Sequence, residues 1–272
     1  PASELKIVQR ALVDWLLVKL PVHPAATAYQ AETSIRMNAA RHAENGPIKK
    51  YDFKDFFPSL TEHAWLSYCE IHHVCDKKNA VALGRLLFMR PPGGRILRLS
   101  IGAPSSPILS NILMNQFDRL IAARVGEHYV TYTRYADDMT FSARRTGYLL
   151  SVDNVLRKTI AEVSLPTLRL NHEKTVTATK KYRREVTGLI LTNDNKVSIG
   201  RGRKRELRAR IHHFKLGKLN IDQAVKLAGH MAFVKDADPE FYTRMERVYG
   251  TGVLAELKMT VRGYRRPQFR ND

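Results

Sequence analysis

Cysteine is nearly absent from this chain of 272 residues: Cys69 and Cys75 are its only two. That excludes a disulfide framework and fits a reducing compartment. The pair flanks Glu70-Ile71-His72-His73-Val74, but these candidate ligands crowd together without the separated pairs of a zinc site, so they read as structural. Long apolar runs are also missing. The stretch from Leu12 to Leu20 is broken by Asp14 and Lys19, well short of the ~20 apolar residues that span a bilayer. Nothing reads as a signal peptide, and a cytoplasmic location is expected. The chain begins at Pro1 without a methionine, so an N-terminal portion is expected to lie outside this sequence.

Acid is scarce as well. The 26 Asp and Glu face 45 Lys and Arg, leaving a formal net charge of +19. A surface this positive calls for a polyanionic partner, with nucleic acid first and an anionic membrane surface second. A hydrophobic content of 44% over this length supports one large core or two modest ones, and two or three subdomains are expected.

The pattern predicts an amphipathic helix over residues 4–20, with Leu5, Val8, Leu12, Trp15 and Leu16 at helical spacing and Pro21 and Pro24 as stops. A strand from Ile48 to Phe57 follows the turn Asn45-Gly46-Pro47. A mostly helical stretch then runs to Met89, and Pro91-Pro92-Gly93-Gly94 turns a hairpin into Arg95 to Leu99. Ser105-Ser106-Pro107 opens a helix that runs through Ile108, Ile112, Leu113, Phe117 and Leu120. Val130 to Arg134 and Met139 to Ala143 read as hairpin arms around Tyr135-Ala136-Asp137-Asp138, followed by a helix from Ser151 to Val163. Lys174 to Thr179 and Glu185 to Leu191 read as strands, the second turning at Asn193-Asp194-Asn195. Helices and antiparallel hairpins in this mixture give an α+β sheet layered with helices.

Residues 200–272 carry 17 Lys and Arg against 8 Asp and Glu, a surplus of nine, and read as a separate basic helical subdomain. Over Arg203 to Leu219 the apolar Leu207, Ile211 and Phe214 line one face. Arg203, Lys204, Arg205 and other cations fill the rest, a surface suited to phosphates though usually just a solvated face.

Asp52 within a strand and Asp137 and Asp138 at a hairpin tip are ordinary acids taken singly. Brought to one place by neighbouring strands, they suit nucleotidyl transfer, which uses two Mg²⁺ ions roughly 3.5–4 Å apart held by oxygen ligands.

Tyr135-Ala136-Asp137-Asp138 between β arms resembles the Y-x-D-D box of reverse transcriptases, and four other segments match that family in order. Tyr51-Asp52-Phe53-Lys54-Asp55-Phe56-Phe57 resembles its first metal-binding box. Gly102-Ala103-Pro104-Ser105-Ser106-Pro107 with Ser110-Asn111 resembles the template and nucleotide box. Leu170-Asn171-His172-Glu173-Lys174-Thr175 resembles the segment with a basic residue near the triphosphate, and Val186-Thr187-Gly188 the strand that grips the primer. Asn38-Ala39-Ala40-Arg41-His42 and Val186-Thr187-Gly188 are further similar to the N-A-x-x-H and V-T-G signatures of bacterial retron reverse transcriptases. The resemblance spans roughly residues 4–200. It departs at Ile101, where many members carry Gln before the glycine, which leaves the nucleotide or template without a side-chain hydrogen bond there.

The resemblance implies a right-hand α+β polymerase: fingers over 1–47, palm over 48–59, a fingers/palm connection over 60–100, palm over 101–199, and a helical RNA-binding thumb over 200–272. It implies that Asp52 and Asp137 bind two Mg²⁺ ions with Asp138 in support, and that Lys174 serves as charge stabiliser or proton donor. The backbone at Lys54, Asp55 and Phe56 would receive the triphosphate, Phe57 would lie under the sugar and select deoxynucleotides, and Gly102 would border the nucleotide. Tyr135, Val186, Thr187, Gly188, Arg203, Lys204 and Arg205 would face primer, template or RNA. Asn38 and His42 share one helix face and are expected to be either structural or close to RNA. The implied reaction is RNA-directed DNA synthesis on a cognate structured non-coding RNA. Its product is branched RNA-linked DNA (msDNA), made from deoxynucleoside triphosphates, in antiphage defence and with an effector protein where one accompanies the RNA. The rival readings are a non-retron bacterial or group II intron-like reverse transcriptase, and a non-catalytic RNA-binding scaffold that keeps the polymerase fold.

Overall fold

A computed structural model describes residues 1–262; the last ten residues of the segment expected as thumb lie outside the described residues. In chain order the elements are α1 (Ser3–Trp15), α2 (Ile35–Ala43), β1 (Ile48–Asp52), α3 (Phe56–Ser59), α4 (Glu62–Ile71), α5 (Lys77–Leu87), α6 (Ser106–Leu113) and α7 (Asn115–Gly126). Then come β2 (Thr131–Tyr135), β3 (Asp138–Ser142), α8 (Val152–Glu162), β4 (Val176–Ala178), β5 (Arg184–Val186), β6 (Leu189–Leu191) and β7 (Val197–Ser198). Four helices follow: α9 (Arg201–Lys215), α10 (Ile221–Ala237), α11 (Pro239–Tyr249) and α12 (Thr251–Val261).

Polar caps start several helices where the sequence offers them. The Ser34 hydroxyl accepts from the Met37 N–H at 3.2 Å, Asp76 from Asn79 at 2.8 Å, and Asn220 and Gln223 form a reciprocal capping box. The antiparallel four-stranded sheet runs β2-β3-β1-β4, and a second antiparallel sheet runs β5-β6-β7.

Several expected elements are shorter or split. The first helix stops at Trp15, with Leu17–Lys19 continuing as a 3₁₀ turn. Its Val8 and Trp15 are exposed, whereas Gln9 is buried and its Nε2 donates to the Leu86 carbonyl at 2.8 Å. The strand expected to reach Phe57 ends at Asp52, because Asp55 turns left-handed (φ +50°) into α3. The single helix expected from Ser105 breaks at Met114. The hairpin at Pro91–Gly94 is closed by one bridge, Met89 to Arg98. Lys174 ends a 3₁₀ turn, and the strand begins after it at Val176. The strand expected from Glu185 to Leu191 is a tight hairpin: Thr187 and Gly188 have φ of +48° and +79°, and two consecutive left-handed residues reverse the chain between strands.

The core has two parts. One packs α4 to α8 on the face of the larger sheet that presents Tyr51, Tyr132, Met139 and Phe141. The other joins Ala39 and Ala43 of α2 and Val186 and Leu189 of the small sheet to Leu207, Leu227 and Phe241 of the C-terminal helices. Packing therefore continues across the boundary expected at residue 200, so these helices do not stand on a core of their own. Helix α2 also covers the opposite face of the larger sheet. His42, fully buried, puts Nδ1 2.6 Å from Ser142 Oγ and Nε2 2.8 Å from Thr133 Oγ1, hydroxyls that donate or accept as needed. Buried Arg184 ties the sheets together, donating to the carbonyls of Gly46 (2.9 Å), Thr192 (2.8 Å) and Asn45.

Asp238 is the hub of the C-terminal helices. It is 3% exposed, caps α11 through the Phe241 N–H at 3.1 Å, and accepts from Ser198 Oγ at 3.0 Å, the Ile199 N–H at 3.1 Å and Lys204 Nζ at 2.8 Å. Burial pushes its carboxyl up, but Lys204 and these donors outweigh that and hold it below the usual carboxylate range. Among the described residues no helix is long and apolar enough to cross a membrane.

Two outcomes follow. Burial lowers the His42 pKa from 6.5 to about 3, so the unfolded chain takes up this proton first. The His42 contribution to stability is whole above pH 6.5 and declines toward pH 3 by about 1.4 kcal/mol per pH unit. Denaturant titrations across this range should give a shallower acid slope for His42→Gln; an unchanged slope would refute the buried neutral imidazole. Lys204→Met, which strands the Asp238 charge, should lower the unfolding free energy by about 3 kcal/mol, against less than about 0.5 kcal/mol for the exposed Arg205→Met.

Candidate active site

Asp52 is the last residue of β1 and Asp138 the first of β3, and the register of these strands sets them directly opposite each other. Between Tyr135 and Asp138, which still pair, the hairpin turns in two residues, Ala136 (φ +57°) and Asp137. The Phe53 N–H donates to the Asp137 carbonyl at 3.2 Å. Three acidic residues from two distant segments thus lie at one end of the sheet. Like charges placed opposite each other are unfavourable, and the carboxyl of Asp137 responds. Burial raises its pKa, the charges of Asp52 and Asp138 add to the rise, and its backbone hydrogen bond and Lys174 oppose it.

Asp52 is 5% exposed, and both its oxygens face Lys174 Nζ, at 3.0 and 3.2 Å. The carboxylate holds the Lys174 ammonium protonated above its ordinary range. Among the described residues no three His, Cys, Asp or Glu side chains are already gathered to hold a metal ion, consistent with Asp52 being engaged by Lys174. The donor set nevertheless fits a hard divalent cation: it is all oxygen, carried on adjacent strands, and made of acids whose mutual repulsion a cation would relieve.

The chain leaves Asp52 through residues that divide between core and solvent. Phe56 is buried, its ring stacked on Phe53 at 5.8 Å, so only its backbone can meet a ligand. Phe57 is half-buried, with its ring edge-on to Phe56 at 5.5 Å. Exposed Lys54 and Asp55 open onto a cavity of about 380 Å³ that Ser59, Arg98 and Arg169 also line. Arg169 is held there because its carbonyl accepts from the Lys54 N–H at 2.8 Å. Three cations around one cavity suit a polyphosphate. Sequence reasoning missed Arg98 and Arg169, since a single arginine in a basic chain carries no signal.

A second cavity, of about 430 Å³, lies between Tyr29, Phe57, Ile101 and Gly102. Gly102 has φ +85° and open space where a Cβ would sit, so backbone conformation is what calls for glycine. Ile101 is 78% exposed and lines this cavity with an apolar side chain. Tyr29 also escaped the sequence reading. Its ring lies 6.5 Å from that of Tyr135, and its hydroxyl pKa is raised by burial, by Tyr135 and by Asp137.

Of the residues expected to face primer, template or RNA, or in the case of Asn38 and His42 to be either structural or close to RNA, several turn into the protein. Asn38 is 1% exposed, and His42 and Val186 are fully buried, so these side chains pack the protein and do not reach a nucleic acid surface. Thr187 and Gly188 form the β5–β6 turn; Thr187 Oγ1 donates to the Ile35 carbonyl at 3.2 Å, and Arg203 donates to the Gly188 carbonyl at 3.1 Å. Lys204 is committed to Asp238, while Arg205 is exposed.

The chain is similar to several known proteins. The family described as Reverse transcriptase (RNA-dependent DNA polymerase) matches residues 1–191. Among curated proteins the chain is similar to the retron Ec83 reverse transcriptase of Escherichia coli, 33% identical over 95% of this chain and 84% of that protein. It is also similar to the retron Ec73 enzyme of the same species, at 31% over 92% and 81%, and to the retron Ec86 enzyme, at 30% over 95% and 79%. Among solved structures, apo telomerase from Candida tropicalis aligns with a TM-score of 0.46 and 13% identity, over 95% of this chain and 54% of that one, so the chain spans about half its length.

Proposed function

The chain belongs to the reverse transcriptase family of RNA-directed DNA polymerases, and from that premise we propose that it copies a cognate structured non-coding RNA into single-stranded DNA that remains branched from that RNA. The observation that carries this reading is the register that sets Asp52 against Asp138 with Asp137 beside them, together with similarity to retron reverse transcriptases over nearly the whole chain. Priming comes from an internal 2′-hydroxyl of the RNA. The product, msDNA, acts in antiphage defence in the bacterial cytoplasm, with an effector protein where the system encodes one.

Reverse transcriptases use divalent metal ions, here two Mg²⁺, which when bound activate the primer hydroxyl and stabilise the leaving pyrophosphate. Asp52 and Asp137 would hold them, with Asp138 in support. Lys54, Arg98 and Arg169 orient the triphosphate in the cavity they line, so that its α-phosphate faces the primer hydroxyl. Lys174, with 60% of its side chain exposed, has room to turn from Asp52 toward the pyrophosphate, where its ammonium offsets the developing charge. Phe57 lies under the sugar and leaves no space for a 2′-hydroxyl. In this reading the fingers cover 1–47, the palm 48–59 and 101–199, and the connection between them 60–100, while the thumb helices from residue 200 share their core with α2 and the small sheet. Exposed thumb cations such as Arg205 meet phosphates of the RNA duplex.

Purified from cells carrying its native flanking DNA, the protein should bring down one discrete nucleic acid species sensitive to both RNase and DNase. Asp137→Asn protein should bring down RNA alone and extend primers more than about a hundredfold more slowly. Normal synthesis by Asp137→Asn would remove the metal assignment, and heterogeneous RNA with the wild type would remove the retron reading. Phe57→Ala should reduce discrimination against ribonucleotides about tenfold or more in single-nucleotide incorporation, and unchanged selectivity would assign the gate to another residue.

A further inference from the structure

Arg134 directly precedes the Tyr135 turn and is fully buried, as is its partner Asp118 on α7. Its guanidinium grips that carboxylate with two bonds, Nε to Oδ1 at 2.8 Å and Nη2 to Oδ2 at 2.6 Å, while the Tyr132 hydroxyl donates to Oδ1 at 2.8 Å. A buried ion pair is expensive to desolvate, and apolar side chains of similar volume would stabilise a palm core about as well. The third bond of the guanidinium is one that no apolar side chain can make: Nη1 donates to the Ala136 carbonyl at 2.9 Å.

That carbonyl lies beyond the last pair of the β2–β3 ladder, Tyr135 with Asp138, so strand pairing cannot satisfy it. Ala136 stands at φ +57°, a conformation that disfavours a residue with a Cβ, and the neighbouring Asp137 takes its direction from that geometry. Arg134 itself is held on both sides of its backbone: its N–H donates to the Ala25 carbonyl at 2.7 Å, and its carbonyl accepts from the Thr27 N–H at 2.8 Å. The guanidinium carbon also lies 5.8 Å from the centre of the Phe56 ring, in the segment that follows Asp52. One immobile cation therefore bears on both acid-carrying segments.

We propose that Arg134 is a positioning residue for polymerisation: anchored by Asp118, it fixes the Ala136 carbonyl and through it the hairpin tip that aims Asp137 and Asp138 at the reacting phosphates. This rests on the reading that these two acids serve the reaction. Displacement by about 1 Å at such a site is enough to slow chemistry roughly a hundredfold.

The test replaces the cluster by apolar side chains, Arg134→Met/Asp118→Leu/Tyr132→Phe, an exchange of the kind that leaves stability unchanged or raised. The folded triple variant should bind RNA template as tightly as the wild type, yet show single-turnover primer extension slowed about tenfold or more. In metal-free protein its amides over residues 135–138 should exchange faster. A wild-type rate together with wild-type exchange overturns the inference. If the triple variant fails to fold, Arg134→Lys keeps a charge for Asp118 without the reach to Ala136: slowed extension with intact template binding supports the anchor, and a wild-type rate refutes it. Asp137→Asn, assayed alongside, keeps the two readings apart. An inactive Asp137→Asn beside a fully active triple variant sinks the role of Arg134 alone, whereas an active Asp137→Asn sinks the assignment of the acids.

Discussion

Everything in the candidate site depends on the antiparallel register between β1 and β3. Side chains alternate faces along a strand, so a slip of one residue would turn Asp52 away from Asp138 and replace it with Tyr51 or Phe53. Two apolar layers make that slip costly, since Tyr51, Met139 and Phe141 must face α4 to α8 while the other face receives α2. Polar contacts add direction that apolar packing lacks. His42 reaches Thr133 and Ser142 on the two arms of the hairpin, and the Arg134–Asp118 pair ties the same hairpin to α7.

The charge of the chain divides into two uses. Arg134 and Arg184 are sealed in the interior, Lys204 joins α9 to the start of α11, and Lys49 pairs with Asp153, to which the Tyr51 hydroxyl also donates at 2.7 Å. These cations hold elements together and cannot also neutralise phosphates. Lys54, Arg98, Arg169 and Arg205 remain at the surface, the first three around one cavity. Net charge thus points to a polyanion without saying which cations meet it.

The boxes at Tyr51–Phe57, Tyr135–Asp138 and Leu170–Thr175 were legible because each is contiguous and its chemistry depends on residue type at fixed spacing. Element boundaries were less so. The break at Met114 occurs inside an unbroken apolar pattern, and the reversal at Thr187-Gly188 sits within a run of β-formers; neither interrupts the periodicity that predicts an element. Asn38, His42 and Val186 illustrate a different limit. A short motif marks a position as particular without saying whether its side chain faces nucleic acid or the protein interior, and burial settles that for these three.

By itself the sequence determined the reaction class and singled out the three acids proposed to serve it, because metal-assisted nucleotidyl transfer demands carboxylates in a recognisable local setting and those settings survive as short strings. Only the tertiary structure decided which residues keep those acids in place. Arg134 and Asp118 lie 16 residues apart, and His42 and Ser142 lie 100 apart; such pairings have no local pattern. They exist because the packed sheet leaves buried polar groups that must find partners wherever the fold brings them.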